Sequence, residues 1–290
     1  MSHGTIPFVK GHGTGNDFVI LSELDGSLDL TPARVRALCD RHRGIGADGI
    51  LVITRTELHD EVVDQAGEAP YFMDYRNADG SAAQMCGNGA RLFAAELLER
   101  RLVDVREFQI ATRGGVRRVT VDDGRGIHVN MGTPTFLAQD DIRVRTSEDP
   151  DSAGTAAIGV LIPNPHAVAW VDDVEQAGAL TAPPVVTPAT TYPEGVNVEF
   201  VRVIGDHHVQ MRVFERGVGE TLSCGTGACA AAVATARRDG TGPDGRRVRV
   251  DVPGGSVGVT WSADGTVELD GPVEVVARGT IDLSWWESHA

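Results

Sequence analysis

The positions of apolar residues along the chain predict many short strands and a few helices. Strand-like segments fall at residues 18–21, 50–53, 73–75, 167–171, 196–203 and 209–214. Thr31 followed by Pro32 is typical of a helix start, because threonine caps the first turn and proline fits the first helical position. Two further helices are predicted at residues 91–100 and 229–238, and Gly240 ends the second. This mixture indicates an α/β (α+β) fold.

The chain also contains an internal repeat. The segment Met85-Cys-Gly-Asn-Gly-Ala-Arg corresponds to Ser223-Cys-Gly-Thr-Gly-Ala-Cys, and Met73 corresponds to Met211 at the same offset of 138 residues. Weaker matches in the same order extend to both sides. A period near half the chain is too long for a solenoid. The sequence therefore predicts two pseudo-symmetric domains from a duplication, each a curled mixed sheet around a central helix.

Composition and charge exclude several classes of protein. The 290 residues carry a formal net charge of -15, which disfavours nucleic acid or an anionic membrane as a partner. No apolar segment has the length of a signal peptide or a membrane span. The chain lacks CxxC and HExxH spacings, so we expect no bound metal. We expect the four cysteines to be free thiols in a cytoplasmic protein, and the Pro- and Thr-rich residues 181–195 to form a surface loop.

The repeated Cys-Gly-x-Gly segments indicate chemistry at two helix N-termini. Unpaired backbone N–H groups at a helix start bind a carboxylate, and the same field lowers the pKa of a cysteine. Pseudo-symmetry would bring Cys86 and Cys224 face to face across one cleft. One thiolate could then remove the α-proton of a bound amino acid while the other thiol protonates the opposite face. The pattern thus predicts a cofactor-independent amino-acid epimerase.

Other interpretations of the same residues remain open. The two repeated cysteines could be a redox pair that closes to a disulfide, whereas Cys39 and Cys229 are expected to be buried apolar fillers. A proline-racemase-like enzyme would share the two-cysteine logic. A non-catalytic redox-sensing thiol protein is the alternative from another class. The sequence alone gives no oligomeric state, and a homodimer is compatible with it.

The assembled motifs resemble those of the diaminopimelate epimerase family. They are His12-Gly-Thr-Gly-Asn-Asp-Phe-Val, Gly44-Ile-Gly-Ala-Asp, Asn77-Ala-Asp-Gly-Ser, Met85-Cys-Gly-Asn-Gly-Ala-Arg, Asn164-Pro-His, Gly195-Val-Asn-Val and Glu215-Arg-Gly-Val-Gly-Glu-Thr-Leu-Ser-Cys-Gly-Thr-Gly-Ala. The resemblance implies interconversion of LL- and meso-2,6-diaminopimelate without pyridoxal phosphate or metal, in lysine and peptidoglycan precursor biosynthesis. It also implies a first domain of residues 1–130, to which a tail of about 273–290 returns, and a second domain of residues 131–272.

The resemblance further implies roles for individual residues. The acid/base pair would be Cys86 and Cys224, and His166 and Glu215 would support catalysis. The implied substrate-binding residues are Asn16, Asn77, Gly87, Asn88, Asn164, Asn197, Glu215, Arg216, Gly225 and Thr226. One position departs from the family pattern, because Gly49 stands where many members carry glutamine.

Overall fold

A computed structural model describes residues 4–124, 126–146, 148–149 and 151–289. Its strands in chain order are β1 (Thr5–Gly13), β2 (Asn16–Ser22), β3 (Gly49–Arg55), β4 (Tyr71–Asn77), β5 (Glu107–Ile110), β6 (Arg117–Val121), β7 (Ile127–Gly132), β8 (Thr135–Phe136), β9 (Arg143–Arg145), β10 (Thr155–Leu161), β11 (Pro165–Trp170), β12 (Val185–Thr187), β13 (Asn197–Gly205), β14 (His208–Glu215), β15 (Gly219–Glu220), β16 (Arg247–Val252), β17 (Gly255–Trp261), β18 (Val267–Gly271) and β19 (Glu274–Asp282). Its α-helices are α1 (Pro32–Cys39), α2 (Gly87–Glu99), α3 (Gly225–Arg238) and α4 (Leu283–Glu287). The many strands and few helices confirm the predicted mixed α+β class.

The chain forms two compact units. Unit 1 contains Met1–Val129 and Pro272–Ala290, and unit 2 contains Asn130–Gly271. The C-terminal segment belongs to unit 1 because β19 pairs antiparallel with β1. Trp286 of α4 is buried in the same core cluster as Val19 and Leu38.

Unit 1 has a five-stranded sheet in the order β19-β1-β2-β3-β4. Strands β2 and β3 are parallel, and α1 lies in the connection between them. As predicted, Thr31 caps α1, and its side chain accepts a hydrogen bond from Arg34 N at 3.2 Å. Helix α2 packs against β1, β2, β3 and β4.

Unit 2 has a longer sheet in which β9, β10, β11, β13, β14, β16, β17 and β18 are successive neighbours. Helix α3 packs against β10, β11, β13, β14, β16, β17 and β18. Its alanines explain how the strands approach so closely, since Ala228, Ala230 and Ala231 have no exposed surface. The sequence prediction of a central alanine-rich helix is confirmed.

The two units repeat one order of strand pairing. In unit 1, β1 and β2 are antiparallel, β2 and β3 are parallel, β3 and β4 are antiparallel, and α2 follows. In unit 2, β10, β11, β13 and β14 pair in the same three ways, and α3 follows. The repeat in the sequence is therefore matched by a repeat in topology.

Three local features differ from expectation or add to it. Helices α2 and α3 begin at Gly87 and Gly225, four residues before the predicted starts, because the glycine-rich segments form their first turns. Residues 181–195, predicted as a loop, contain β12, which pairs with β9. Within the described ranges, no helix is long and apolar enough to cross a membrane.

Candidate active site

Cys86 and Cys224 are the N-cap residues of α2 and α3. Both have extended backbone conformations, and each thiol sulfur accepts a hydrogen bond from the third residue of its helix. The Cys86 Sγ to Gly89 N distance is 3.4 Å, and the Cys224 Sγ to Gly227 N distance is 3.3 Å. The two thiols thus occupy equivalent positions in the repeated topology.

Two asparagines surround Cys86 in unit 1. The Cys86 thiol lies 3.5 Å from Asn16 Oδ1, and Asn88 Nδ2 donates to the same oxygen at 3.3 Å. Asn16 Nδ2 in turn donates to Asp48 Oδ2 at 3.0 Å. The structure therefore brings three predicted site residues together, with Asp48 fixing the orientation of the Asn16 amide.

Two other predicted residues of unit 1 lie at the ends of elements. Gly87 is the first residue of α2, directly after the thiol. Asn77 ends β4 opposite Gly49, and its side chain donates to Ser81 Oγ at 3.0 Å.

Polar groups also surround Cys224 in unit 2. Thr226 Oγ1 lies 3.4 Å from its sulfur, and Gly225 is the first residue of α3. Glu215 ends β14, and its carboxyl accepts a hydrogen bond from Thr221 Oγ1 at 2.6 Å. The carboxyls of Glu215 and Glu199 both act electrostatically on the thiol.

The Cys224 thiol is held in its neutral form. Burial raises the pKa of Cys224 well above its ordinary value, and the charges of Glu215 and Glu199 raise it further. Hydrogen bonds from Thr226 and from the Gly227 N–H oppose this rise without cancelling it. The expectation that the helix N-terminus lowers this pKa is wrong, because desolvation and two carboxyls outweigh the helix field. Cys224 is thus suited to donate a proton.

His166 is fully buried between two polar partners. Its Nδ1 lies 2.6 Å from Glu199 Oε1, and its Nε2 lies 3.0 Å from Asn164 Oδ1. The imidazole also acts electrostatically on Glu215, whose pKa is raised by desolvation and lowered in part by Thr221, Cys224 and His166. His166, Asn164 and Glu215 therefore form one polar cluster beside Cys224.

Asn197 and Arg216 are linked through the backbone. Asn197 Oδ1 accepts a hydrogen bond from Arg216 N at 2.8 Å. The exposed Arg216 guanidinium donates to Glu194 O at 3.1 Å and lines a pocket of about 270 Å³ together with Tyr192 and Phe214. Asn197 therefore sets the backbone position from which the arginine side chain extends.

Sequence reasoning missed Glu199. The signal available was its spacing, because Glu199 follows Asn197 by two residues on β13 and so shares its face of the strand. Asn197 itself pairs with His166 across the parallel strands β11 and β13. Only the strand register, which the sequence does not give, shows that Glu199 reaches the imidazole.

Solved structures with low sequence identity share this fold. A predicted epimerase from Pseudomonas aeruginosa matches with a TM-score of 0.68 at 15% identity, over 95% of this chain and 99% of that one. A hydroxyproline epimerase from Agrobacterium vitis, with bound trans-4-hydroxy-L-proline, matches with a TM-score of 0.66 at 15% identity, over 96% and 93%. At 15% identity, the similarity to these structures shows a shared fold and no more.

Sequence comparisons are much closer. A diaminopimelate epimerase from Streptomyces coelicolor is 50% identical over 286 residues, with 97% of each chain covered. One from Thermobifida fusca is 44% identical, with 96% of this chain and 98% of that one covered. The family model described as diaminopimelate epimerase matches residues 8–137 and 159–276. This chain belongs to the diaminopimelate epimerase family.

Proposed function

We propose that this chain interconverts LL- and meso-2,6-diaminopimelate, with Cys86 and Cys224 as the two bases. Full-length relatives at up to 50% identity carry the name of this activity. The observation that carries the proposal is the equivalent placement of the two thiols as N-caps of α2 and α3. Inversion of one carbon can use one proton carrier for each face, and this chain has two matched carriers.

The mechanism transfers one proton in each of two steps. A Cys86 thiolate takes the α-proton, so the C–H bond breaks, an S–H bond forms, and the electron pair moves into the carboxylate as an enolate. The neutral Cys224 thiol then gives its proton to the opposite face of the carbon and becomes the thiolate. The reverse reaction uses the same steps in the opposite order, and neither step needs pyridoxal phosphate or a metal.

The backbone supports the developing negative charge. The first turns of α2 and α3 start at Gly87 and Gly225, and their N–H groups point toward the helix N-termini. Such donors stabilise an enolate more than they stabilise the starting carboxylate. Asn88 and Thr226 lie in the same turns as polar side chains. We therefore assign these four residues to the carboxylate at the reacting centre.

The remaining residues would hold the distal end of the substrate. Diaminopimelate has two chemically alike stereocentres, so the enzyme must fix one while it inverts the other. A guanidinium binds a carboxylate through two parallel hydrogen bonds, and we assign this role to Arg216. The assigned ligands of the amino groups and carboxylates are Asn16, Asn77, Asn164, Asn197 and Glu215. We place this biosynthetic activity in the cytoplasm.

An epimerase assay tests the proposal. The purified protein, given LL-diaminopimelate and no added cofactor, should form the meso isomer, as measured by chiral chromatography. Cys86→Ala and Cys224→Ala should each lose roughly 10²–10⁴-fold in activity, the usual contribution of one acid–base group. L-Proline should not be racemised.

Cys39→Ala is the matched control. Cys39 is a buried free thiol in the core of unit 1, and burial raises its pKa to about 12. Its loss should leave turnover within about twofold. Full activity in either Cys86→Ala or Cys224→Ala, or turnover of proline in place of diaminopimelate, would refute the proposal.

A further inference from the structure

Glu199 is a fully buried carboxyl to which the reaction described above assigns no contact with the substrate. It lies on β13 with no exposed surface, and its Oε1 is 2.6 Å from His166 Nδ1. Its second oxygen, Oε2, is buried and has no hydrogen-bond partner among the described residues. A buried carboxylate with one bare oxygen is unfavourable unless a cation compensates its charge.

The compensation comes from His166. Both ring nitrogens face oxygen atoms, Glu199 Oε1 on one side and Asn164 Oδ1 on the other. The Nε2 nitrogen donates to the amide carbonyl of Asn164, and the 2.6 Å contact between Nδ1 and Oε1 contains a second proton. The Glu199–His166 pair therefore has no net charge whichever of the two atoms holds that proton.

Two contacts hold the pair in this position. Tyr192 Oη donates to the backbone oxygen of His166 at 3.0 Å, which fixes the strand at the imidazole. Gly227 leaves room for the carboxyl, because a Cβ at Gly227 would lie 2.9 Å from Glu199 Oε1. Gly227 belongs to the first turn of α3, where Cys224 is the cap. The pair thus packs directly against the turn that carries the thiol.

The second ring nitrogen carries the effect to Asn164. When His166 Nε2 donates to Asn164 Oδ1, the NH2 group of that amide is directed away from the imidazole. Because the Glu199–His166 contact uses one shared proton, Nε2 keeps its own proton and donates it to Asn164. A glutamine could accept or donate, so it would leave the imidazole tautomer, and with it the Asn164 amide, undetermined.

We propose that Glu199 is a positioning residue for epimerisation, which acts through His166 to orient the Asn164 amide toward the substrate. The inference rests on the proposed function, since Asn164 is a substrate ligand only there. The expected consequence is a specific loss on Glu199→Gln, which keeps the shape of the side chain and removes its charge. We expect kcat/KM for LL-diaminopimelate to fall roughly ten- to a hundredfold, the range found when the partner that orients a metal-binding histidine is removed.

A nuclear magnetic resonance measurement separates positioning from folding. The His166 Nδ1–H proton should give a strongly deshielded signal in the wild type, because a charge-assisted hydrogen bond of 2.6 Å holds it. Glu199→Gln should move this signal upfield while the circular dichroism spectrum stays native. Glu199→Asp keeps the carboxylate but lengthens the bond, so its loss in kcat/KM should be smaller. That variant provides the test if Glu199→Gln does not fold.

Asp251→Asn is the matched control. Asp251 Oδ2 lies 2.6 Å from His208 Nε2, the same separation as in the buried pair, but both side chains are partly exposed and outside the site. This variant should change neither kcat/KM nor the His166 signal. Wild-type kcat/KM in folded Glu199→Gln, or in Glu199→Asp where Gln does not fold, would overturn the inference. An inactive wild type would instead overturn the proposed function, while the proton signal would still report on the Glu199–His166 bond.

Discussion

The Cys224 sulfur accepts a hydrogen bond from the Gly227 backbone N–H at 3.3 Å, in the place where a helix usually carries a serine, threonine, aspartate or asparagine oxygen. Sulfur is a weaker acceptor than oxygen. A cysteine is therefore an inferior cap, and stability does not explain its presence. Cys86 is the same kind of cap, since its sulfur accepts a hydrogen bond from the Gly89 N–H.

Replacing the cap atom should separate stability from chemistry. Cys224→Ser puts a better acceptor at the N-cap, so urea unfolding should show a free energy of unfolding within about 1 kcal/mol of the wild type. The hydroxyl is far less acidic than a thiol, so epimerisation should fall by roughly 10²–10⁴-fold. A serine variant that is unfolded, or one that is stable and fully active, would contradict this account of the cap.

The pKa of Cys224, and with it the rate at which the thiol is labelled, should depend on the charge of Glu215. Burial raises the pKa of Cys224 and Glu215 raises it further, so the reactive thiolate is scarce at pH 8 and becomes more abundant as the pH rises. Glu215→Gln removes one negative charge, lowers the thiol pKa, and should accelerate iodoacetamide labelling of Cys224 several-fold at pH 8. Mass spectrometry of the labelled peptide measures this rate.

Glu220→Gln is the control for that experiment. Glu220 pairs with Arg212 on the surface of unit 2, so the guanidinium compensates its charge there. In this variant, Cys224 should be labelled at the wild-type rate. Equal rates for the Glu215 and Glu220 variants would show that Glu215 does not set the protonation of Cys224.

Arg216 should govern the choice of substrate. Arg216→Ala leaves the distal carboxylate unpaired, so kcat/KM for LL-diaminopimelate should fall roughly tenfold to several hundredfold. Arg216→Lys should recover only part, because an ammonium cannot form the two parallel hydrogen bonds. Arg212→Ala, four residues earlier on β14 and paired with Glu220, should stay within about twofold. An unimpaired Arg216→Ala enzyme would remove the basis for this distal anchor.

Gly49 should tolerate no side chain. A Cβ there would lie 2.6 Å from Arg76 O and 2.8 Å from Tyr75 Cε2, and the Tyr75 ring is itself packed edge-on against Phe18. Gly49→Ala should therefore lower the free energy of unfolding by about 1–3 kcal/mol in urea denaturation. The glutamine that the family resemblance implies at this position would require both the Arg76 carbonyl and the Tyr75 ring to move.

Gly67→Ala is the matched control for that prediction. A Cβ at Gly67 meets nothing within 4 Å. This change should be neutral or stabilise by up to about 1 kcal/mol, because it restricts the unfolded chain. If both alanine variants are as stable as the wild type, then the Arg76 carbonyl and the Tyr75 ring can move without a measurable loss of stability. The close contacts at Gly49 would then not explain why glycine is needed there.

Much of the fold could be predicted because local signals agreed with each other. Thr31 and Pro32 predicted the start of α1, and the alanine content of residues 229–238 predicted a tightly packed central helix. The constant offset between Cys86 and Cys224 predicted a duplication. The predicted starts of α2 and α3 were less accurate. The glycines after Cys86 and Cys224 are typical of turns, but here they form the first turn of each helix.

The electrostatics of unit 2 could not be predicted in the same way. The protonation of Cys224 depends on burial and on two carboxyls from different strands, Glu199 and Glu215, which lie 25 and 9 residues before it. The sequence motif shows only that Cys224 precedes a helix, and this predicted a lowered pKa, whereas the structure raises it. Strand register decides which side chains meet, and register follows from packing across the whole sheet.

Solvent labelling during early turnover tests the two-base account most directly. In D2O, the wild-type enzyme converting LL-diaminopimelate should place deuterium at the inverted carbon of the meso product, because the proton that arrives comes from the second thiol after exchange with solvent. The recovered LL substrate should contain little deuterium, since the abstracted proton stays on the first thiol. Mass spectrometry of both isomers at low conversion gives the result. Equal deuterium in substrate and product from the earliest times would mean that a single base serves both faces, and would contradict the assignment of Cys86 and Cys224 as a pair.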